Sequence, residues 1–442
     1  MIKLPEQVNK AICLLKNSGF EAYAVGGAVR DCLLGKVPFD WDITTSAHPE
    51  ETEKVFCGER IIETGIKHGT VTVIIDGMPL EITTYRIDGD YTDHRHPQTV
   101  SFSDNLRDDL SRRDFTINTL CCNCDDKIID AFGGKDDLNN KIIRCVGDPD
   151  TRFSEDALRI MRAVRFSAEL GFKIEKSTSD SILKNRQLLS DVSKERLQVE
   201  FTKLITGKYA TDVIRKYHTV IEVFIPELAP LIECEQHTKY HKYDVFEHTL
   251  HAVDAIDFND RILRLTMFFH DFGKPDAKTT DENGTSHFKG HAVISEKKTR
   301  DILKRLKFDN NTINEVSKLV LIHDMKSPRD KIQAKKMMCS LGDEAYLNLI
   351  KIKRADNMAK ADPHAIDEKL KNMRSFYEEI KINNECYNLK SLAVNGDDIK
   401  AFGIAEGKEI KSSLDFLLNG VIEGKCQNRK DELLEYLKEN TK

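Results

Sequence analysis

Apolar positions in this chain fall into two rhythms, and the change from one to the other divides it. Over residues 5–19 they recur at Val8, Ile12 and Leu15 and stop at Gly19, the spacing of an amphipathic helix. Phe20–Val25 then predicts a strand, followed by a glycine turn and a short helix ending near Gly35. Trp41–Thr44, Thr70–Asp76 and Leu80–Tyr85 predict further strands, the last two joined through Asp76-Gly77, a hairpin signal. Alternation along Leu80–Tyr85 puts Glu81 and Thr83 on one face and Leu80 and Ile82 on the other. Asp88–Phe102 is polar, rich in His, Asp and Pro, and predicts a loop long enough to be functional. From about Ser154 amphipathic helical patterns run to the end. The predicted fold class is α+β, a mixed sheet with helices followed by an all-helical remainder.

Composition narrows this picture. At 442 residues the chain is too long for one core, and about two to four domains are expected. A formal net charge of -6 confines any nucleic-acid contact to local patches. The eleven cysteines follow no disulfide framework, and Cys121-Cys122-Asn123-Cys124 has no nearby partner to complete a zinc site. That cluster reads as core thiols of an apolar strand in a reducing compartment. No signal core and no apolar run of about eighteen residues is present, so no membrane is expected and the location expected is cytoplasmic.

The densest chemistry lies in Ala24–Gly35 and Asp40-Trp41-Asp42. Gly26-Gly27 lets the backbone approach phosphate oxygens, and Arg30-Asp31 belongs to a helix whose start favours an anion. Asp40 and Asp42, one residue apart on a strand-like segment, share a face. Taken alone, each piece is a turn or a solvated strand end. In this order they fit a two-magnesium phosphoryl-transfer site. Glu81 is either wet-face polarity or a third carboxylate that holds metal or accepts the proton of an attacking hydroxyl. Arg113 and Asp114, within Asp109–Asn118, read either as a salt-bridged helix start or as partners for triphosphate and ribose. In Ser154–Phe166, Ser154 is the expected N-cap, Asp156 and Arg159 are helical neighbours, and Arg162 and Arg165 continue the line. An Asp acceptor beside a forked Arg donor is a surface ion pair, or a reader of base edges on cytosine and adenine.

Gly26-Gly-Ala-Val-Arg-Asp31 with Asp40-Trp-Asp42, His68-Gly-Thr-Val-Thr72, Arg112–Asn118 and Glu155-Asp-Ala-Leu-Arg159 together resemble the bacterial class II tRNA nucleotidyltransferases. The resemblance implies a polymerase-β-type head over 1–145, a neck over 146–235, a body over 236–365 and a tail over 366–442. It implies addition of C, C and A to the tRNA 3′ end from CTP and ATP, with release of pyrophosphate. Asp40 and Asp42 would bind magnesium. Gly27, Arg30 and Arg113, with Gly26 and Asn118 beside them, would serve the triphosphate, and Asp114 the ribose. Asp156 and Arg159 would pair with the base, Glu155 would steady Arg159, and Arg162 and Arg165 match further nucleotide-site positions. Residues 88–102 look like the loop used in switching from C to A. Trp41 and the Cys121-Cys122 continuation depart from the family pattern at positions that read as core-facing.

A second set follows in the body. His248, His270-Asp271, His287, His291, His323-Asp324 and Asp356 suit a divalent transition metal such as nickel or manganese. The pattern resembles an HD phosphohydrolase domain, in which His248, His270, Asp271 and Asp356 would be ligands, with His291 and His323 as candidates to join. Leu392–Gly403, with Asn428 expected in the last helix, resembles the family's tail, which would grip the tRNA elbow. Rival readings are a poly(A) polymerase, an enzyme adding only CC or only A, a metal phosphohydrolase with a nucleotide-sensing head, and a non-catalytic RNA-binding protein.

Overall fold

The computed structural model describes residues 2–63, 65–66, 69–89, 100–125, 127–238, 240–404 and 407–440. His68 and residues 90–99, which carry part of the expected motif and most of the expected loop, lie outside them. The chain divides into two compact units, Met1–Ala229 with Arg305–Lys307, and Pro230–Lys304 with Phe308–Lys442.

The first unit is built on a seven-stranded mixed sheet. Its strands are β1 (Ala22–Val25), β2 (Asp42–Thr45), β3 (Arg60–Ile62), β4 (Thr70–Ile75), β5 (Met78–Thr84), β8 (Cys121–Cys122) and β9 (Ile128–Ile129). The spatial order is β3-β4-β5-β2-β1-β8-β9. Among the described residues of this sheet only β2 and β5 pair in parallel; β4 and β5 form the hairpin expected at Asp76-Gly77. Leu80 and Ile82 are buried while Glu81 is exposed, so the alternation is as the sequence reads. Helix Glu6–Asn17 buries Val8, Ile12 and Leu15. Trp41, Cys121 and Cys122 are buried, so both departures from the family pattern do face the core.

Three expectations for the first unit need correcting. Strand β2 starts at Asp42, leaving Asp40 exposed on an irregular approach that contains Pro38, a residue unable to donate to a ladder. The ends of the polar 88–102 segment are strands: β6 (Arg86–Asp88) pairs antiparallel with β7 (Val100–Phe102). Ser154 is not a cap. It lies inside helix Pro149–Glu155, whose N-cap Asp148 accepts from Thr151 N at 2.8 Å. That helix ends at Asp156, in extended conformation (φ -134°, ψ 101°), before helix Leu158–Leu170.

The remainder of this unit is helical, with Lys176–Asn185, Lys194–Ile205 and Ala210–Ile221, plus one small parallel ribbon, Ile142–Ile143 against Lys173–Ile174. Among the described residues, the regular structure of the second unit is helical but for the ribbon Thr279–Thr280 and Ser286–His287. Its C-terminal part has its own core of Leu392, Val394, Ile399, Leu417, Leu418, Ile422, Leu433 and Leu437. Asn428 precedes the last helix, Lys430–Asn440, rather than lying in it. It pins the segment before the core, donating to Ser391 O and accepting from Ala393 N, both at 2.8 Å. All eleven cysteines are free, and Cys57 and Cys339 are the exposed ones.

Candidate nucleotide site and metal centre

The edge-on meeting of β1, β2 and β5 sets the first site. Pairing aligns Val25 with Asp42 and Asp42 with Glu81, so the glycine turn after β1 opens beside two adjacent carboxylates. Gly26 has φ +82°, and a Cβ there would stand 3.3 Å from Arg113 Nη1 and 3.7 Å from Asp42 Oδ2. The positive φ is what favours glycine there; a Cβ would in addition press on the end of the Arg113 side chain. Burial pushes the Asp42 carboxyl up to about 6 against the pull of Arg113, with Glu81 and Asp40 adding to the rise. Asp40, outside the strand, closes no ligand cluster with the other two: among the described residues, sets of three possible ligand atoms within 4.8 Å occur only in the second unit. The head offers oxygen donors alone, a set that suits a hard divalent cation.

Arginines surround this corner on prepared supports. Arg113 is held by buried Asp109, with Nη2 3.4 Å from Oδ2, while its buried Nε has no acceptor. Asp109 also receives Thr44 Oγ1 at 3.0 Å and Arg112 Nε at 2.9 Å. Arg30 lies in helix Gly27–Leu33 and is 7 % exposed. It donates to Asn118 Oδ1 at 2.8 Å; Asn118 donates in turn to Asp114 Oδ1 at 2.9 Å. Arg162 donates to Asp114 Oδ2 through Nε at 2.8 Å and approaches with Nη2 at 2.7 Å. One polar chain therefore joins Arg30, Asn118, Asp114 and Arg162. Burial alone would raise the Asp114 carboxyl; Arg162 and the Asn118 amide outweigh it and hold it down at about 2.

The helix break separates the two residues expected to read a base. Arg159 Nη1 donates to Glu155 Oε2 at 2.7 Å and its Nη2 to Arg112 O at 2.7 Å. Asp156 instead takes Arg196 Nη2 at 3.0 Å, while its Oδ1 accepts from Leu158 N. Arg165 is occupied by Glu200 at 2.6 Å and Glu169 at 2.7 Å, and its guanidinium sits 3.8 Å from the Phe166 ring centroid. Arg30 and Arg162 flank the same ring at 4.8 and 5.4 Å. Sequence reading missed Asp109, Arg152 and Arg196, the last because it lies far along the chain on helix Lys194–Ile205. Arg152 donates to Glu155 Oε1 at 2.6 Å, fixing the residue that fixes Arg159.

The second unit gathers the other expected set. His248 and His270 have Nε2 atoms 3.4 Å apart, with Asp356 Oδ1 3.0 Å from His248 Nε2. Asp271 Oδ2 lies 3.4 Å from His248 and 3.1 Å from His270. His291 and His323 join the group from helix starts and ends elsewhere in the bundle, their Nε2 atoms 3.1 Å apart. His287 does not; it is exposed and bonds Asp281. Mixed imidazole and carboxylate donors fit a divalent transition metal.

These two sites can be set beside known proteins. Residues 22–144 match the Poly A polymerase head domain, 171–232 the RNA and SrmB-binding site of polymerase A, and 279–437 tRNA nucleotidyltransferase domain 2. A CCA-adding enzyme of Geobacillus kaustophilus is 34 % identical over 99 % of this chain and 97 % of its own. The chain belongs to the CCA-adding enzymes. The Bacillus subtilis CCA-adding enzyme is 33 % identical over 96 % of each chain. The crystal structure of the Bacillus stearothermophilus CCA-adding enzyme in complex with CTP matches with TM-score 0.69 and 30 % identity, over 98 % of this chain and 97 % of that one. Thermotoga maritima CCA-adding enzyme complexed with tRNA shares the fold at TM-score 0.64. CCA-adding enzymes are tRNA nucleotidyltransferases, a class that uses divalent metal ions. No helix among the described residues is long and apolar enough to cross a membrane.

Proposed function

We propose that this CCA-adding enzyme extends the tRNA 3′ end with C, C and A from CTP and ATP, without a nucleic-acid template, in the cytoplasm. The observation that carries this reading is the Gly26 corner, where Asp42 and Arg113 flank a positive-φ backbone suited to glycine and Glu81 stands opposite Asp42. Asp40 and Asp42 are the residues to hold magnesium, which when bound supplies positive charge at the attacking and leaving oxygens. Glu81, exposed beside them, accepts the proton of the attacking 3′-hydroxyl. Gly26 and Gly27 let the triphosphate approach the backbone, and Arg30 and Arg113 take up charge on the departing pyrophosphate. Asp114, with Asn118, orients the ribose. Asp156 and Arg159 present an acceptor and a fork to the base, with Glu155 holding Arg159; Arg162 supports Asp114. Arg165, spent on Glu200 and Glu169, shapes the arginine-lined wall through Phe166. Residues 1–145, 146–235, 236–365 and 366–442 serve as head, neck, body and tail.

A tRNA ending at its discriminator base, incubated with CTP and ATP, should lengthen by C, C and A and then stop. A homopolymeric A tail or a halt after CC would overturn the reading in favour of its rivals. The buried His and Asp set of the body supports a second activity, an HD-type phosphohydrolase centre holding nickel or manganese through His248, His270, Asp271 and Asp356. Retained phosphatase activity after Asp42→Ala would separate it from nucleotide transfer.

A further inference from the structure

One motif of the head has no part in nucleotide transfer. The run Cys121-Cys122-Asn123-Cys124 falls into two kinds of thiol. Cys121 and Cys122 form strand β8 and are fully buried; burial pushes the Cys121 thiol up to about 12 and makes it an inert part of the core. Cys124 lies past the end of the strand and is half-buried. Asn123 fixes its place. The Asn123 Oδ1 accepts from Asp125 N at 3.1 Å and from Lys127 N at 2.9 Å, so the chain turns where Cys124 sits.

Helix Glu6–Asn17 meets this turn with two of its own side chains. Cys13 and Lys16 are three residues apart, neighbours on one helical face. Lys16 Nζ lies 3.1 Å from Cys124 Sγ and 3.6 Å from Asp125 Oδ2. Contact with Cys124 is the main cause that holds the Lys16 ammonium above its ordinary value. Cys13 is half-buried, donates to Asn9 Oδ1 at 3.7 Å, and stands within hydrogen-bonding reach of Cys124. Burial first, and Cys124 second, push the Cys13 thiol up, so it keeps its proton at neutral pH. Two thiols and a cation therefore converge from opposite ends of the head.

We infer that Cys13 and Cys124 are a reversible redox pair, a modification site at which a hydroperoxide joins helix Glu6–Asn17 to the turn after β8 through a disulfide. Lys16 pairs with the sulfur anion that attacks, so Cys124 reacts first. With hydrogen peroxide, its thiolate attacks one oxygen and the O–O bond breaks. A sulfenic acid forms, and the departing hydroxide takes a proton from solvent. The Cys13 sulfur then attacks Cys124 Sγ; the S–O bond breaks and the leaving hydroxide carries off the Cys13 proton as water. Two electrons have passed from the two sulfurs to the peroxide, which ends as two waters. The bridge pins the helix to the end of β8, whose Cys121 and Cys122 pair with Val25 and Ala24 of β1, the strand that leads into the Gly26 corner. It closes a loop of about 110 residues, so it acts chiefly by restricting the unfolded chain, and the oxidised head is the more stable form.

Full-length protein treated with graded hydrogen peroxide, quenched with N-ethylmaleimide and digested without reduction gives the test by mass spectrometry. A peptide linked through Cys13 and Cys124 should appear at lower peroxide than any oxidation of the exposed Cys57 and Cys339, and dithiothreitol should remove it. The oxidised protein should melt about 5 °C or more above the reduced one. Cys13→Ser should abolish that shift and leave on Cys124 a sulfenic acid that dimedone traps. Lys16→Gln should slow the linkage several-fold, and an unchanged rate overturns the part given to Lys16. Both thiols still open to maleimide once Cys57 and Cys339 are oxidised overturns the pair, as does Cys124 linked instead to Lys16 or to a second chain. Those linkages are read on the unaltered protein and stand whether or not a variant folds.

Discussion

Asp42 carries more of this reading than any other side chain, because strand pairing leaves it no freedom to move away from Glu81 or from the glycine corner. Asp42→Ala should lower nucleotide transfer by roughly two to three orders of magnitude, the scale on which removing one electrostatic partner of a reacting group acts. Binding of tRNA, followed by gel shift, should be unchanged. Asp114 makes a different prediction, about stability. Its carboxyl sits at about 2, below the ordinary 3.8, so the folded state releases a proton that the unfolded chain keeps. Its contribution, about 2 kcal/mol, is present above pH 4 and lost as the pH falls towards 2. Thermal unfolding should therefore find Asp114→Asn less stable than the unaltered protein at pH 6, with the gap closing by pH 2. A gap independent of pH would mean that the ion pair to Arg162 contributes nothing.

Among the elements, the break at Asp156 matters most. A continuous helix would have set Asp156 and Arg159 on one face; the break instead gives each its own support, Arg196 for one and Glu155 for the other. Asp156→Ala or Arg159→Ala should relax the choice between nucleotides by about tenfold or more, as bidentate base contacts are worth roughly 1–3 kcal/mol. Arg196 touches no base in this reading and acts by positioning. Arg196→Ala should blur selectivity less than Asp156→Ala, Arg196→Lys should recover part of it, and KM for tRNA should not move. The sequence made the sheet legible because hairpin chemistry and alternation are local: Asp76-Gly77, Leu80 and Ile82 each announce their place. The helix break was hidden, since Glu155-Asp-Ala-Leu-Arg159 contains neither Gly nor Pro; at the break Asp156 Oδ1 accepts from Leu158 N, and the Arg196 that also holds Asp156 lies 40 residues away. The arginine supports were hidden for the same reason. Asp109 and Arg113 are close in sequence, but Thr44 reaches Asp109 across 65 positions.

At the scale of the whole molecule, the C-terminal part has a core of its own and need not share the fate of the head. Leu433→Ala, at a fully buried position, should cost about 2–5 kcal/mol and act locally. Hydrogen exchange should quicken over 392–437 and stay as it was over the sheet. If this tail grips the tRNA elbow, KM for full-length tRNA should rise while a short acceptor-stem substrate is extended as before. The two sets of buried histidines and arginines sit in different units; the body set was legible from His270-Asp271, with His291 and His323 as candidates to join, whereas the 3.1 Å approach of those two rings is set by tertiary packing. The thiols of this chain offer a practical return. Cys57 belongs to the first unit and Cys339 to the second, and both face solvent while no disulfide competes for them. Maleimide dyes placed on these two native positions would make a ready-made distance gauge, able to follow the enzyme through successive rounds of extension without engineering new attachment points.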